Sequence, residues 1–443
     1  MISRETLKNI GVNICRFVVA LTFVFSGYVK AIDPTGTQYK MHDYLAALGM
    51  ETLLPDYALV VAAMVLAAVE LCMGVFLLFA IRRRLVSKLA LLFMSVMTLI
   101  TVWVALANPV ADCGCFGDAL KLTNWQTLGK NLLLLAATVA ICSKPTAMVR
   151  FIGRSNQWIV INYTFIYSVA TSTYCMLYLP TFDFRPYHIG ADIRKGMEIP
   201  PGAEQPKFET IFVLEKDGQR KEFSLDNYPD STWTFIDSKT TQVSEGYVPP
   251  IHDFSMEDTK MGVDMTDSVL TDTSYTFLLV APHLENADDS YFGDINQIYD
   301  YCKARGYRFY ALTASGEKAI SHWIDITGAE YPFLFTDETT LKTMIRSNPG
   351  LLLLKGGVVM RKWSHNDLPK LDAASASLNK IEEGRLPDTS AGEKLAYTLL
   401  WFFMPLLLLA LADRTWAWTR WVRRKKAVKE EAGADSPQTN KEE

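Results

Sequence analysis

The sequence predicts a multi-pass α-helical membrane bundle joined to a water-soluble α/β domain. Two observations predict this fold class. One is that strand-like and helix-like patterns alternate in a long polar segment. The other is a set of six apolar stretches, the last two of which flank this segment. The six apolar stretches, each about long enough to cross a bilayer, lie at residues 11–31, 57–80, 86–107, 126–143, 157–180 and 395–412.

The composition agrees with a membrane protein. Hydrophobic residues make up 49% of the chain, and they cluster before the long segment and again in the last apolar stretch. The formal net charge of −4 gives no strong attraction to nucleic acid. The expected partner is therefore the lipid bilayer, and no nucleic-acid partner is predicted.

Basic residues in the short loops predict the orientation of the helices, because cytoplasmic loops carry an excess of lysine and arginine. The segments after the second, fourth and sixth stretches contain Arg82, Arg83, Arg84, Lys88, Lys144, Arg150, Arg154, Arg414, Arg420, Arg423, Arg424, Lys425 and Lys426. The sequence therefore predicts a bacterial inner-membrane protein with both termini in the cytoplasm and residues 181–393 outside. The tail, residues 413–443, is predicted to be basic, cytoplasmic and disordered.

Ionisable residues lie deep in the first two stretches. Glu70 is well inside the second and Arg16 is inside the first, and charges at such depth cost several kcal/mol unless they are paired. Their heights differ by roughly one helical turn, so we predict a Glu70–Arg16 pair. Such a pair either only locks the bundle or takes part in proton or quinone chemistry. Lys30 is close enough to the outer end of its helix to reach the interface.

A pair of cysteines lies between the third and fourth stretches, in ADCGCFGD at residues 111–118. One glycine separates Cys113 from Cys115, so a disulfide between them closes a small, strained ring that is easily reduced. We favour redox exchange at this pair and predict no metal site. Two alternatives stay open, a soft metal ion that takes further ligands such as Asp112 or Asp118, and a structural disulfide or free thiols.

The same residues resemble a known family. Arg16, Gly27, Lys30, Glu70, Leu71 and Gly74 occupy the places of the motif residues in the DoxX/MauE superfamily of four-helix membrane proteins, over residues 8–147. The segment CGCFGD is most similar to the MauE branch. The resemblance implies a four-helix core and a membrane component linked to thiol–disulfide chemistry or electron transfer.

The first part of the long segment, residues 181–270, is predicted to be rich in β-structure. Alternating patterns at residues 209–225 flank Asp217-Gly218, which is a strong signal for a hairpin turn. Further strands are predicted at residues 231–240 and 249–256.

Residues 271–385 alternate between the two kinds of element, which implies parallel strands in a layered α/β fold. The pattern ends with a hairpin that turns at Gly356-Gly357 and a final helix at residues 368–383. The predicted elements before them are strands at 274–281, 307–315 and 331–337 and helices at 288–306, 316–328 and 338–347.

This order of elements resembles thioredoxin-like domains, and Pro349 matches the proline that is usually cis in that fold. The segment at residues 248–256 resembles the entry strand of related branches. The thioredoxin Cys-x-x-Cys is missing, because residues 281–290 contain no cysteine. We therefore expect Cys302 to pack in the core and the domain to dock partners rather than exchange thiols.

Together these features predict a membrane component of an envelope thiol-redox or electron-transfer pathway. Periplasmic thiol proteins or a quinone are the expected partners, and the bundle would hold the quinone or relay electrons. The alternative is a non-enzymatic membrane scaffold or assembly factor. A transporter has less support, because no inverted repeat or broken helix is evident.

Overall fold

The computed structural model describes residues 4–110, 112–204, 207–216, 219–224, 234–244 and 246–434, without the side chains of residues 207–244 and 428–434. The chain forms two compact units. One comprises Met1–Phe184 and Pro387–Glu443, and the other comprises Arg185–Leu386.

Helices dominate the first unit, and strands and helices alternate in the second. Within the described residues the α-helices are α1 (Arg4–Ile32), α2 (Pro34–Ala47), α3 (Asp56–Phe79), α4 (Arg83–Ala107), α5 (Asn124–Ser143), α6 (Gln157–Leu177), α7 (Ile193–Met197), α8 (Thr266–Leu270), α9 (Phe292–Arg305), α10 (Glu317–Thr327), α11 (Glu338–Met344) and α12 (Ala391–Ala434). The strands are β1 (Lys207–Lys216), β2 (Gln219–Ser224), β3 (Thr234–Ser244), β4 (Glu257–Asp258), β5 (Tyr275–Val280), β6 (Arg308–Thr313), β7 (Phe333–Phe335), β8 (Gly350–Lys355) and β9 (Val358–Ser364).

The first unit makes the chain a multi-pass membrane protein. Among the described residues, five helices are long and apolar enough to cross a bilayer, namely α1, α3, α4, α5 and α12. The predicted fifth span, residues 157–180, forms α6 but does not belong to that set, since polar residues such as Asn162, Thr164 and Ser168 lower its hydropathy. A total of six spans therefore stays a prediction.

Close contact between α1 and α3 forms the centre of the membrane unit. A Cβ atom added at Gly27 would lie 2.3 Å from the backbone nitrogen of Leu71, and one added at Gly74 would lie 2.6 Å from that of Val24. Glycines at both places let the two backbones touch, as small residues do in membrane bundles. This contact fixes which side chains of α1 face α3.

The membrane unit departs from the sequence expectations in two places. The segment after α1 forms α2, whose first turn is capped by the Asp33 carboxylate accepting from the Gly36 backbone N–H at 2.8 Å. The tail predicted to be disordered is helical as far as Ala434. Residues 413–432 are rich in alanine, arginine, lysine and glutamate, which favour helix, and they continue an existing helix without the cost of a new nucleus.

Two sheets build the second unit. The smaller has the order β2-β1-β3 and contains the predicted hairpin, in which Lys216 pairs with Gln219, although its turn at Asp217-Gly218 lies outside the described residues. The larger has the order β4-β7-β6-β5-β8-β9. Its strands β5, β6 and β7 are parallel, as predicted, and β8 and β9 are antiparallel.

Two predicted elements of this unit are wrong. Residues 249–256 form no strand, because Pro249 and Pro250 lack the N–H that a strand donates, and only β4 pairs with β7. Residues 368–383 form no α-helix but irregular chain with 3-10 turns at Leu378–Lys380 and Glu382–Gly384. The Asp372 carboxylate accepts from the backbone N–H groups of Ala374 and Ser375, which competes with helix formation.

Helices α9 and α10, which follow β5 and β6, pack with the larger sheet around one apolar core. Trp323 is 1% exposed there, and Cys302 is fully buried in the same cluster, as expected. The Asn348–Pro349 peptide bond is cis, which agrees with the expectation for Pro349.

Candidate functional site

The two cysteines of the loop between α4 and α5 lie in contact. Both are free thiols, and the Sγ atoms of Cys113 and Cys115 are 3.2 Å apart. Gly114 has a φ of +66° and Gly117 a φ of +51°, a region that glycine adopts without strain, and these two residues turn the chain on either side of Cys115. Because a disulfide needs sulfurs about 2.0 Å apart, a small approach of the side chains suffices to join this pair.

A buried cluster of Lys30, Glu70 and Ser26 holds the loop on the side of the helical bundle. Nζ of Lys30 on α1 donates to Oε2 of Glu70 on α3 at 2.8 Å, to Oγ of Ser26 at 2.7 Å and to the backbone oxygen of Cys115 at 2.6 Å. Three acceptors match the three hydrogens of an ammonium group. The Lys30 and Glu70 side chains are only 7% and 5% exposed, so the pair is shielded from water. The cluster therefore ties the Cys115 peptide to the centre of the bundle.

The predicted pairing of Glu70 with Arg16 is wrong, because Glu70 pairs with Lys30. The Arg16 guanidinium donates to the Asn13 side chain and to the backbone oxygens of Val149 and Leu78. Leu78 lies two turns beyond Glu70 on α3, about 12 Å along the helix axis. Arg16 thus forms its hydrogen bonds at the opposite end of the bundle from Glu70. The signal for the correct partner was the spacing of Ser26 and Lys30, which puts both on one face of α1.

Helix α2, which the sequence reasoning missed, holds the other end of the loop. The Tyr44 hydroxyl donates to the backbone oxygen of Cys113 at 3.0 Å. Lys40 forms an ion pair with Asp112 at 3.1 Å, and its side chain passes so close to Gly114 that a Cβ there would lie 3.1 Å away. The side of the loop that contains Cys113 is therefore covered by α2.

The two thiols have different acidities. The hydrogen bond from Cys113 lowers the pKa of Cys115, and the positive charges of Lys130 and Lys30 add to this effect, while burial opposes it. The same hydrogen bond raises the pKa of Cys113, and burial raises it further. Since thiolates are the reactive form of cysteine, this difference favours Cys115 as the residue that carries the thiolate.

A shallow recess borders the loop. Cys115 lines it, and Cys113 is not among the described residues that do so. The lining consists of Asp112, Gly114, Cys115, Phe116, Gly117, Leu120, Lys121, Leu122 and Thr127.

Asp118 and Pro349 are the remaining predicted residues. Asp118 belongs to the short 3-10 turn Gly117–Ala119 that follows the cysteines, and Pro349 belongs to the other unit. No group of three or more histidine, cysteine, aspartate or glutamate residues within the described part of the chain could hold a metal ion.

Comparison with known protein families gives two matches. The family described as methylamine utilisation protein MauE matches residues 8–143, which contain α1 to α5 and the cysteine loop. A domain of unknown function (DUF8463) matches residues 208–245, the region of the smaller sheet. No curated protein matches the chain significantly. Over its first five helices, the chain is thus similar to the MauE family.

Proposed function

We propose that the protein is a membrane component of a thiol–disulfide redox or electron-transfer pathway of the bacterial envelope. The observation that carries this proposal is the contact of two free thiols at 3.2 Å on a loop tied to buried charges. The similarity of residues 8–143 to MauE, a family named for methylamine utilisation, supports a role in a redox-related process. In this proposal the protein lies in the inner membrane with both termini in the cytoplasm.

The reaction is a two-electron exchange at Cys113 and Cys115. Oxidation joins the two sulfurs and releases two electrons and two protons, and reduction of the disulfide takes up the same numbers. A disulfide of a periplasmic protein accepts the electrons and becomes two thiols. A quinone accepts two electrons and two protons and becomes a quinol. The recess beside Cys115 has both a cationic residue, Lys121, and apolar side chains, which suits a small part of either partner.

The α/β unit is proposed to be a thioredoxin-like docking module. Its order of strands and helices supports this identity. Residues 281–290, which follow β5, contain no cysteine, so its part in the pathway is binding rather than thiol exchange. Because a fold alone does not define function, the proposal for this unit depends on that of the cysteine loop.

Trapping of the thiols in intact cells tests the proposal. After an oxidising or a reducing challenge the cells are quenched in acid and the protein is denatured, so that buried thiols react as well. A maleimide is then added, and the labelled Cys113–Cys115 peptide is quantified by mass spectrometry. We expect labelling of the pair to fall after oxidation and to return after reduction, with labelling of Cys302 unchanged as the internal control. A pair that keeps one redox state under both challenges would contradict the proposal.

A scaffold role is the second candidate. It is favoured by the full set of hydrogen bonds around Lys30, which gives the loop a rigid structure without any chemistry. A Cys113→Ser, Cys115→Ser double variant separates the two functions. Full complementation of a deletion strain by this variant favours the scaffold, and loss of complementation favours redox exchange.

A further inference from the structure

The environments of the two cysteines differ, and this difference assigns them different roles. We propose that Cys115 is the residue that forms the mixed disulfide with a partner bound in the recess, and that Cys113 is the resolving cysteine. The inference deepens the proposed function and rests on it. It also names the partner class, a small or extended disulfide-bearing or thiol-bearing group that enters the recess.

Access is the first argument. The shallow recess beside the loop is lined by Cys115, and Cys113 is not among the described residues that line it. The Tyr44 hydroxyl of α2 donates to the backbone oxygen of Cys113, so α2 contacts the loop at that residue. A partner sulfur placed in the recess therefore meets Cys115 before Cys113.

Rigidity is the second argument. The backbone oxygen of Cys115 is held by the Lys30 ammonium at 2.6 Å and lies 2.7 Å from the Ser26 hydroxyl, and both groups belong to a buried cluster with Glu70. A charge-assisted hydrogen bond is about twice as strong as a neutral one. The backbone of Cys115, the residue that reacts with the partner, is thus fixed to the helical bundle. The Cys113 backbone oxygen has the neutral Tyr44 hydroxyl as its donor.

Charge is the third argument. The hydrogen bond with Cys113 and the charges of Lys130 and Lys30 lower the pKa of Cys115, while burial and the Glu70 carboxylate raise it. The Lys130 Nζ lies 4.1 Å from the centroid of the Phe116 ring. The two Sγ atoms are 3.2 Å apart, so a Cys113 thiol can donate a hydrogen bond to a Cys115 thiolate. These charges support the assignment that access and rigidity make.

The exchange proceeds in two balanced steps. The Cys115 thiolate attacks one sulfur of the partner disulfide, so that a mixed disulfide forms, the partner S–S bond breaks and one partner thiolate leaves. The Cys113 thiol then loses its proton, and its thiolate attacks the neighbouring Cys115 sulfur. The Cys113–Cys115 bond forms, the mixed disulfide breaks and the second partner thiolate leaves. Two cysteine thiols are oxidised and one disulfide is reduced to two thiols.

Single-cysteine variants of the full chain test this assignment, with glutathione disulfide as the probe. In detergent-solubilised Cys113→Ser, a stable glutathione adduct is expected on Cys115. In Cys115→Ser, the adduct on Cys113 is expected to form at least tenfold more slowly. Equal rates, a faster reaction of Cys113, or no adduct in either variant would overturn the assignment.

Two controls make the result unambiguous. Wild-type protein treated with glutathione disulfide should form the Cys113–Cys115 disulfide; if it does not, the proposed function itself fails, whatever the variants show. A brief treatment of wild-type protein with iodoacetamide needs no substitution, and mass spectrometry should find Cys115 alkylated before Cys113. The reverse order would overturn the assignment even if a variant folded poorly.

Discussion

Removal of the Lys30 ammonium gives the sharpest test of the buried cluster. The substitution Lys30→Met keeps the length of the side chain and removes the three hydrogen bonds that Nζ donates. It also leaves the Glu70 carboxylate, which is 5% exposed, without its counter-charge. Removing one partner of a buried ion pair costs about 3–5 kcal/mol, so we expect the free energy of unfolding of the membrane unit to fall by that amount.

Unfolding of the full chain in mixed micelles, followed by tryptophan fluorescence during a titration with denaturing detergent, measures this loss. Lys40→Met is the matched control, since it breaks the ion pair with Asp112 in which the two side chains are 33% and 25% exposed. Pairs of that exposure contribute about 0–1 kcal/mol. The double variant Lys30→Met, Glu70→Leu leaves no unpaired charge and should lose less than the two single variants together. A loss below about 1 kcal/mol in Lys30→Met would refute the reasoning.

Three further predictions concern packing and pH. Gly27→Ala should destabilise the membrane unit by at least about 2 kcal/mol, because the new Cβ would lie 2.3 Å from the backbone of α3. Gly129→Ala is the control and should not destabilise the unit, because its Cβ would meet nothing within 4 Å. Equal unfolding free energies of the two variants would contradict the close contact. Trp323→Ala should lower the free energy of unfolding of the α/β unit by about 3–5 kcal/mol, since the side chain is 1% exposed. Denaturant titration of the full chain measures this loss, and an unchanged midpoint would contradict the place of Trp323 in the core. The hydrogen bond from Ser315 lowers the pKa of Glu285. This carboxylate therefore stabilises the fold above its ordinary pKa of 4.5, and the contribution is lost as the pH falls through the lowered pKa. Thermal unfolding of Glu285→Gln should show a smaller loss of stability on acidification than wild type, and parallel curves of stability against pH would refute the shift.

Local patterns allowed most elements to be predicted from the sequence, because the spacing of apolar residues reports directly on helix and strand. Strand β5 is apolar except for Thr276 and is buried throughout, and Gly306 ends α9 in the left-handed conformation that its sequence position suggests. The final helix at residues 368–383 was predicted wrongly for a local reason as well. The Asp372 carboxylate captures backbone N–H groups there, and a count of apolar residues does not register this competition.

The candidate site was only half predictable. Its cysteines and Glu70 stand out from the sequence alone, because a one-residue cysteine spacing and a buried charge are unusual wherever they occur. The partner of Glu70 is decided by how α1 packs against α3, which depends on the glycine contacts at Gly27 and Gly74. Depth in the bilayer, estimated from the sequence, pointed to Arg16 as the partner of Glu70. The packing of α1 against α3 instead brings Lys30 to Glu70.

Helix α2 escaped prediction because its sequence gives a weak signal. It has 14 residues with a mixture of polar and apolar side chains, too short and too polar to be recognised as a span. Its contribution is specific nonetheless, since Tyr44 and Lys40 hold the loop on the Cys113 side. The asymmetry between the two cysteines could thus be found only in three dimensions.

The central claim is that Cys113 and Cys115 form a reversible redox pair within one chain. An equilibrium titration of the purified full-length protein in glutathione buffers tests this most directly, with the state of the pair determined by alkylation and peptide mass. The account predicts a single two-electron transition, in which the ratio of disulfide to dithiol changes tenfold for about 30 mV, while Cys302 stays reduced. A pair that remains dithiol across the titration, or that oxidises only between chains, would contradict the claim.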